Sequence, residues 1–173
     1  MGIAQQAIFQ AGQYVPKTLR DTWMLRGFGA LKVPVILYCM PTVLQLDDAA
    51  CSIKIPLGWR TRNHYKSMYF GVLAVGADCA SGLLAQHLAA ESGKNVQLLF
   101  KDFHADFHRR ATGDVVFTCP DGAKVSKLVA RAAAAPERVN EKVTVIATVP
   151  SQSDEVVAEF TLTLSLKQAK SAK

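Results

Sequence analysis

Residues 63–90 read NHYKSMYFGVLAVGADCASGLLAQHLAA. From Met68 onward the residues are almost all apolar or small, and the only acid before Glu91 is Asp78. An unbroken apolar run of this length predicts a helix, ended by the C-cap signal Ser92-Gly93. Gly71, Gly76 and Gly82 each cost a helix interior roughly 1 kcal/mol against Ala, so they need a packing reason. With Ala74, Ala77, Ala80 and Ser81 they leave a helix thin enough for another element to pack close against it. A helix apolar on nearly all sides must also be covered on nearly all sides. A carboxylate inside it is costly unless it is paired, hydrogen-bonded or shifted in pKa.

The flanking segments predict what does the covering. Residues 43–57 follow period two, with Ala49, Cys51, Ile53, Ile55 and Leu57 on one face of a single strand that ends near Pro56 to Gly58. A polar, basic connection, Trp59-Arg60-Thr61-Arg62-Asn63-His64, leads into the helix. Beyond it, Leu99, Phe103, Ala105 and Phe107 alternate with Asp102, His104, Asp106 and His108. Val115 and Phe117 mark a short strand closed by the turn Pro120-Asp121-Gly122. Residues 123–138 read as a surface helix with Leu128 and Val129 inward, stopped around Pro136. Two long strands follow, one with Val143, Val145, Ala147 and Val149 inward, the other with Val156, Ala158, Phe160, Leu162 and Leu164. A hairpin loop at 151–154 joins them.

Upstream, residues 1–17 are a Gln-rich lead-in. Residues 18–40 predict amphipathic helices broken near Gly27 to Gly29 and near Pro34, with Trp23, Leu25, Phe28, Leu31, Val35, Ile36 and Leu37 toward the core. The expected organisation is a helical extension over 1–40, a main domain over 41–167 and a disordered tail over 168–173. The fold class is α+β, a curved antiparallel sheet wrapped around one long central helix.

A chain of 173 residues, half of them hydrophobic, is expected to form a globular protein with one sizeable core. The net charge of +6 suits a polyanionic partner, but the basic residues are scattered, with no run longer than Arg109-Arg110, so no nucleic acid is expected. Four cysteines without a C-x-x-C spacing read as buried thiols of a reducing cytosol, and zinc has no support. The N-terminus lacks a secretory pattern, and Gln6 stands where a myristoylation motif needs Ser or Thr. The apolar run at 31–40 is too short to span a bilayer. A cytoplasmic protein without membrane insertion is the expectation.

Asn63, then Tyr69-Phe70-Gly71, then Asp78 and Ala80 resemble the hotdog thioesterase pattern N-x5-HGG-x6-D-x-A. The segments KIPLGWRTRNHYKSMYFGVLAVGAD and FKDFHADFHRRATGDVVFTC are similar to an uncharacterised bacterial hotdog group related to the phenylacetyl-CoA-type thioesterases. The resemblance covers roughly residues 40–166. It implies a hotdog fold, a homodimer or a dimer of dimers, and an acyl-CoA or acyl-carrier thioester as substrate, with no cofactor. It further implies that Asp78 is the catalytic base or nucleophile, that the Phe70 or Gly71 amide stabilises the oxyanion, and that Asn63 shapes the loop or places the thioester. Met68, Tyr69, Arg60 and Arg62 are then the substrate-binding candidates. Tyr69 and Phe70 depart from the His and Gly of the wider pattern, which leaves two readings open, a hydrolase and a non-catalytic acyl-thioester or lipid-binding module. A hotdog dehydratase is disfavoured, because its Asp-x4-His helix motif and a GHFP-like segment are missing.

Geometry adds one requirement to the hydrolase reading. Asp78 lies seven residues past Gly71, about 10 Å along the axis at 1.5 Å per residue. One helix cannot bring both groups to one carbon, whereas two antiparallel helices across a two-fold axis can. Other candidates are weaker. Asp102, His104, Asp106 and His108 share a spacing that can hold a metal, yet a solvated polar face explains them, so no metal is expected. Lys66, Arg109 and Arg110 can meet coenzyme A phosphates or simply be surface charge, and Cys79 is read as packing.

Overall fold

A computed structural model describes residues 16–169; the expected lead-in and tail fall largely on residues 1–15 and 170–173, outside the described residues. The elements in chain order are α1 (Lys17–Lys32), α2 (Pro34–Cys39), β1 (Thr42–Leu46), β2 (Cys51–Ile55), α3 (Phe70–Glu91), β3 (Val96–Phe107), β4 (Val115–Cys119), α4 (Gly122–Ala134), β5 (Val139–Val149) and β6 (Ser153–Gln168). The strands form one antiparallel sheet in the order β1-β2-β4-β5-β6-β3. Helix α3 lies across its inner face, and α4 packs beside α3 over β5 and β6. This is the hotdog fold. By length and composition α3 could cross a membrane, but most of its length is buried inside the protein, as a core helix should be.

One helix glycine is explained by the sheet. A Cβ at Gly76 would overlap the ring of Phe117, which is fully buried on β4. The inward faces of β4 and β5, and of β6 from Ala158 on, follow the expected alternation, with Val115, Phe117, Val143, Val145, Ala147, Phe160, Leu162 and Leu164 buried; Val156, beside a register shift at Thr148, is half-buried and Val157 is buried instead.

Four expectations are corrected. The strand predicted over 43–57 is two strands, because the Asp47 carboxylate accepts the Ala49 and Ala50 N–H groups (both 2.9 Å) and turns the chain back on itself. Helix α1 runs straight through Gly27 and Gly29. Gly29 instead permits a close fold-back of α2, since a Cβ there would sit 2.7 Å from the Leu37 amide nitrogen.

The inward face of the N-terminal helices also differs from that expected, with only Leu25 and Ile36 of the expected residues fully buried. Asp21, Thr22, Leu25 and Gly29 point in, α2 adds Ile36, and Trp23, Phe28, Leu31 and Val35 are exposed while Leu37 is half-buried. The reason is polar. Helix α1 lies along β1, where Thr22 Oγ1 accepts the Val43 N–H (2.8 Å). Lys17 donates to the Leu46 carbonyl (2.7 Å), and Arg26 donates to the Pro41 carbonyl (2.9 Å) and Thr42 Oγ1 (3.1 Å).

The fourth correction concerns β3, which carries a bulge between Phe100 and Phe103. The extra residue reverses the alternation. Leu98 and then Phe103, Ala105 and Phe107 face inward, and Leu99 turns away to 56% exposure.

The glycine contacts yield a pair of opposite outcomes. Gly76→Ala is expected to destabilise the fold by about 1–3 kcal/mol through overpacking. Gly27→Ala, with nothing within 4 Å of its Cβ, is expected to stabilise it by up to about 1 kcal/mol. Urea midpoints of the two variants against the parent check both signs.

Candidate active site

The segment before α3 is tied down by its own backbone and by Asn63. Asn63 Oδ1 accepts the N–H groups of Tyr65 (2.9 Å) and Ser67 (3.2 Å) and the Ser67 hydroxyl (3.3 Å), so its carboxamide oxygen holds the loop in shape. The Met68 N–H donates to the Ala111 carbonyl and the Tyr69 N–H to the Thr61 carbonyl, both at 2.8 Å. These bonds aim the start of α3. Tyr69 is the N-cap residue and offers no side-chain cap, and no acid stands in the first turn. The Tyr69 carbonyl accepts the Val72 and Leu73 N–H groups. The Phe70 and Gly71 N–H groups lie ahead of Val72, the first donor to an intrahelical carbonyl, and among the described residues they have no acceptor, at the positive end of the helix.

Asp78 sits two turns further on. Gly76 faces Phe117 and the sheet, and two residues later, roughly 200° round the helix, Asp78 faces away from that contact. There it lines an apolar cleft of about 500 Å³, walled by α1, α2, α3 and the first half of β3. Among the described residues its carboxylate has no hydrogen-bond or ion-pair partner, the Tyr69 hydroxyl included. Burial without compensation disfavours the charged form and pushes the Asp78 pKa up to about 6. A carboxylate so placed is a base of near-neutral strength in a water-poor site.

The remaining sequence candidates are dispersed. Met68 is buried, and its side chain belongs to the core. Tyr69 and Phe70 are exposed, with their rings 4.8 Å apart, and the Tyr69 ring lies over Gly71, where a Cβ would be 2.7 Å from Cε1. Arg60 is exposed and stacks on Tyr38 and Trp59 (5.5 and 5.3 Å to the ring centroids), and Arg62 is exposed on the same loop. None of these lines the Asp78 cleft. On β3 His104 pairs with Asp106 (3.3 Å), and just past its end His108 pairs with Glu159 of β6 (3.4 Å), both at the surface. Among the described residues no cluster of three or more His, Cys, Asp or Glu side chains could hold a metal. Sequence reasoning missed the cleft itself, including Met24, Phe28, Gly82, Leu98 and Phe100. The available signal was Gly82, a mid-helix glycine one turn past Asp78.

Solved structures with the same fold span nearly the whole chain. A Chlorobaculum tepidum protein of unknown function superposes with a TM-score of 0.75 at 11% identity, over 88% of this chain and 97% of its own. A Pseudomonas aeruginosa thioesterase matches at 0.62 and 11%, over 90% and 96%. A Haemophilus influenzae thioesterase matches at 0.59 and 10%, over 83% and 88%. At such identities the likeness is one of fold. No curated protein matches the chain. The family described as a domain of unknown function (DUF4442) matches residues 22–166. With the match running from α1 to the end of β6, the chain belongs to that DUF4442 family.

Proposed function

We propose that this protein hydrolyses acyl-CoA or a related carrier-bound acyl thioester, with Asp78 as the general base. The observation that carries the reading is the unpaired Asp78 carboxylate in an apolar cleft, with its pKa raised to about 6 by burial. In this mechanism Asp78 takes a proton from water, and the oxygen attacks the thioester carbonyl carbon. The carbonyl oxygen becomes an oxyanion held by the free Phe70 or Gly71 N–H. The intermediate then collapses, the C–S bond breaks, and the leaving thiolate takes the proton back from Asp78. The thioesterase names borne by two of the structural relatives support the reaction class.

The oxyanion donors belong to a second copy of the chain, because two helical turns separate them from Asp78 within one copy. Strand β3 suits a pairing of two copies. It is an edge strand of 12 residues whose Phe100, Phe103 and Phe107 remain 37–51% exposed, an edge that asks to be covered. A second reading, acyl-thioester binding without turnover, draws on the Tyr69 ring over Gly71, which narrows the approach to the oxyanion donors.

With a panel of acyl-CoAs, Asp78→Asn and Asp78→Ala are expected to lower kcat by about 10²–10⁴-fold. Turnover unchanged in both would remove Asp78 from the mechanism, and saturable binding without any turnover would favour the second reading. The kcat/KM of the parent protein is expected to rise with pH through about 6 and level off above it, as Asp78 ionises.

Subunit sharing has its own assay. Phe70→Pro removes one donor at a helix position where Pro is tolerated, and is expected to cost about 10²–10³ in kcat. Mixing it with Asp78→Asn should restore about a quarter of parental activity after random exchange across a two-fold interface, since half the pairs regain one intact site. No recovery after verified exchange would place both groups in one chain.

Stability should move in the opposite sense to activity. Because the folded-state pKa lies above the ordinary carboxylate value of 3.8, folding favours protonated Asp78, and that advantage is lost as pH rises from about 4 through about 6. Asp78→Asn should therefore raise Tm at pH 7, by the equivalent of up to about 3 kcal/mol, and the gain should shrink toward pH 4. Thermal melts at the two pH values check this.

A further inference from the structure

We propose that the cleft beside Asp78 is the acyl-chain site, taking an unbranched aliphatic chain of roughly eight to fourteen carbons between α3 and the N-terminal helix α1. This rests on Asp78 being the group that meets the thioester, and it assigns the chain end of the same substrate. Three observations carry it.

The first is the chemistry of the walls. Leu25 and Phe28 of α1, Ile36 of α2 and Leu98 and Phe100 of β3 supply an apolar lining, on which Asp78 is the single ionisable carboxylate and Gln86, two turns further along α3, the one amide. A ligand that is apolar along its length and polar at one end fits that distribution. The second is Gly82. It lies on the cleft wall one turn past Asp78, and a Cβ there would meet Leu98 Cδ2, Phe100 Cζ and Asp78 Oδ1 at 3.6, 3.6 and 3.7 Å, ordinary contacts. Packing therefore does not require glycine at 82, in contrast to Gly76. A glycine in mid-helix that no neighbour demands leaves empty the space a side chain would fill, and that space is the cleft.

The third observation is size and access. At about 25 Å³ per methylene at interior packing density, a 500 Å³ cleft sets an upper limit near twenty carbons. Part of that volume lies at the mouth, where Met24 is 66% and Phe28 52% exposed, so the enclosed length is shorter. Helix α1 thereby acquires a role in substrate selection although it lies outside the sheet and the central helix.

The test is a chain-length profile on the full-length protein, using acyl-CoAs from acetyl to palmitoyl together with phenylacetyl-CoA. The kcat/KM is expected to rise on the order of a hundredfold from acetyl to decanoyl, as methylenes leave water. Gly82→Leu should lower the decanoyl-to-acetyl ratio by about tenfold or more. Gly82→Ala, whose methyl fits, should keep the preference and raise Tm. Met24→Trp, at an exposed position that tolerates substitution, should shorten the preferred chain and guards against a folding defect in Gly82→Leu. A flat profile, a preference for phenylacetyl-CoA, or ratios unchanged in both Gly82→Leu and Met24→Trp would overturn the proposal while leaving hydrolysis at Asp78 standing. If no thioester is turned over, calorimetry with a non-hydrolysable decanoyl-CoA thioether separates the two claims. Binding that is lost in Gly82→Leu sustains the chain site and ends the hydrolase reading, and absence of binding ends both.

Discussion

In the core, α3 meets the sheet most tightly where Gly76 faces the ring of Phe117, and no side chain fits between helix and strand there. That contact sets how near α3 lies to the sheet, and the sheet must curve to keep the rest of an apolar helix covered. Phe160 stands 6.3 Å from Phe117 and within about 6 Å of Phe103 and Phe107, so three strands share one aromatic layer under the helix. Pressing one side of α3 this tightly against β4 also decides what the opposite side can do. Asp78 comes out in the cleft closed by α1, α2 and the start of β3, and these offer it only apolar surface.

The cost of leaving a carboxylate there is carried by the fold. Four cysteine thiols sit in the same interior and are likewise pushed upward by burial, but a neutral thiol loses little by it. Asp78 differs because the proposed hydrolysis uses its charged form, and among the described residues no hydrogen bond stabilises that form. Ser81, the nearest polar side chain along the helix, donates back to the Ala77 carbonyl (2.9 Å) and so is turned away from that role. Local disagreement of this kind, within an otherwise consistent core, is where a functional group is expected.

Much of the fold was legible because its signals are local. The apolar run of α3 and the alternation of β4, β5 and β6 depend on neighbours in sequence, and the helix-ending Gly93, at φ +64°, is a chain-local device too. The misreadings each have a non-local or phase-shifting cause. Asp47 turns the chain with its side chain, and the two acids Asp47-Asp48 were the visible hint. The β3 bulge moves Leu99 to the far face without any change in composition. Helix α1 shows its apolar residues to solvent because its inner stripe is committed to hydrogen bonds with β1, and nothing in residues 17–32 names that strand. The same limit applies to the site. Asp78 stood out by its spacing from Asn63 and Gly71, but the opposite wall of its cleft comes from residues some fifty positions earlier, which no motif links to it.

The bonds from α1 to β1 carry a further consequence at the level of assembly. A sheet with two bare edges can accept a neighbour on each and so propagate into a ribbon. Here Thr22, Lys17 and Arg26 occupy the β1 side, and the bare backbone of β3 is the other edge. Any strand-to-strand growth between identical copies then stops after a single head-to-head joining, because the product presents only sealed ends. A helix whose inner stripe looked misplaced thus covers one edge of the sheet and leaves β3 as the edge at which any such pairing would have to occur.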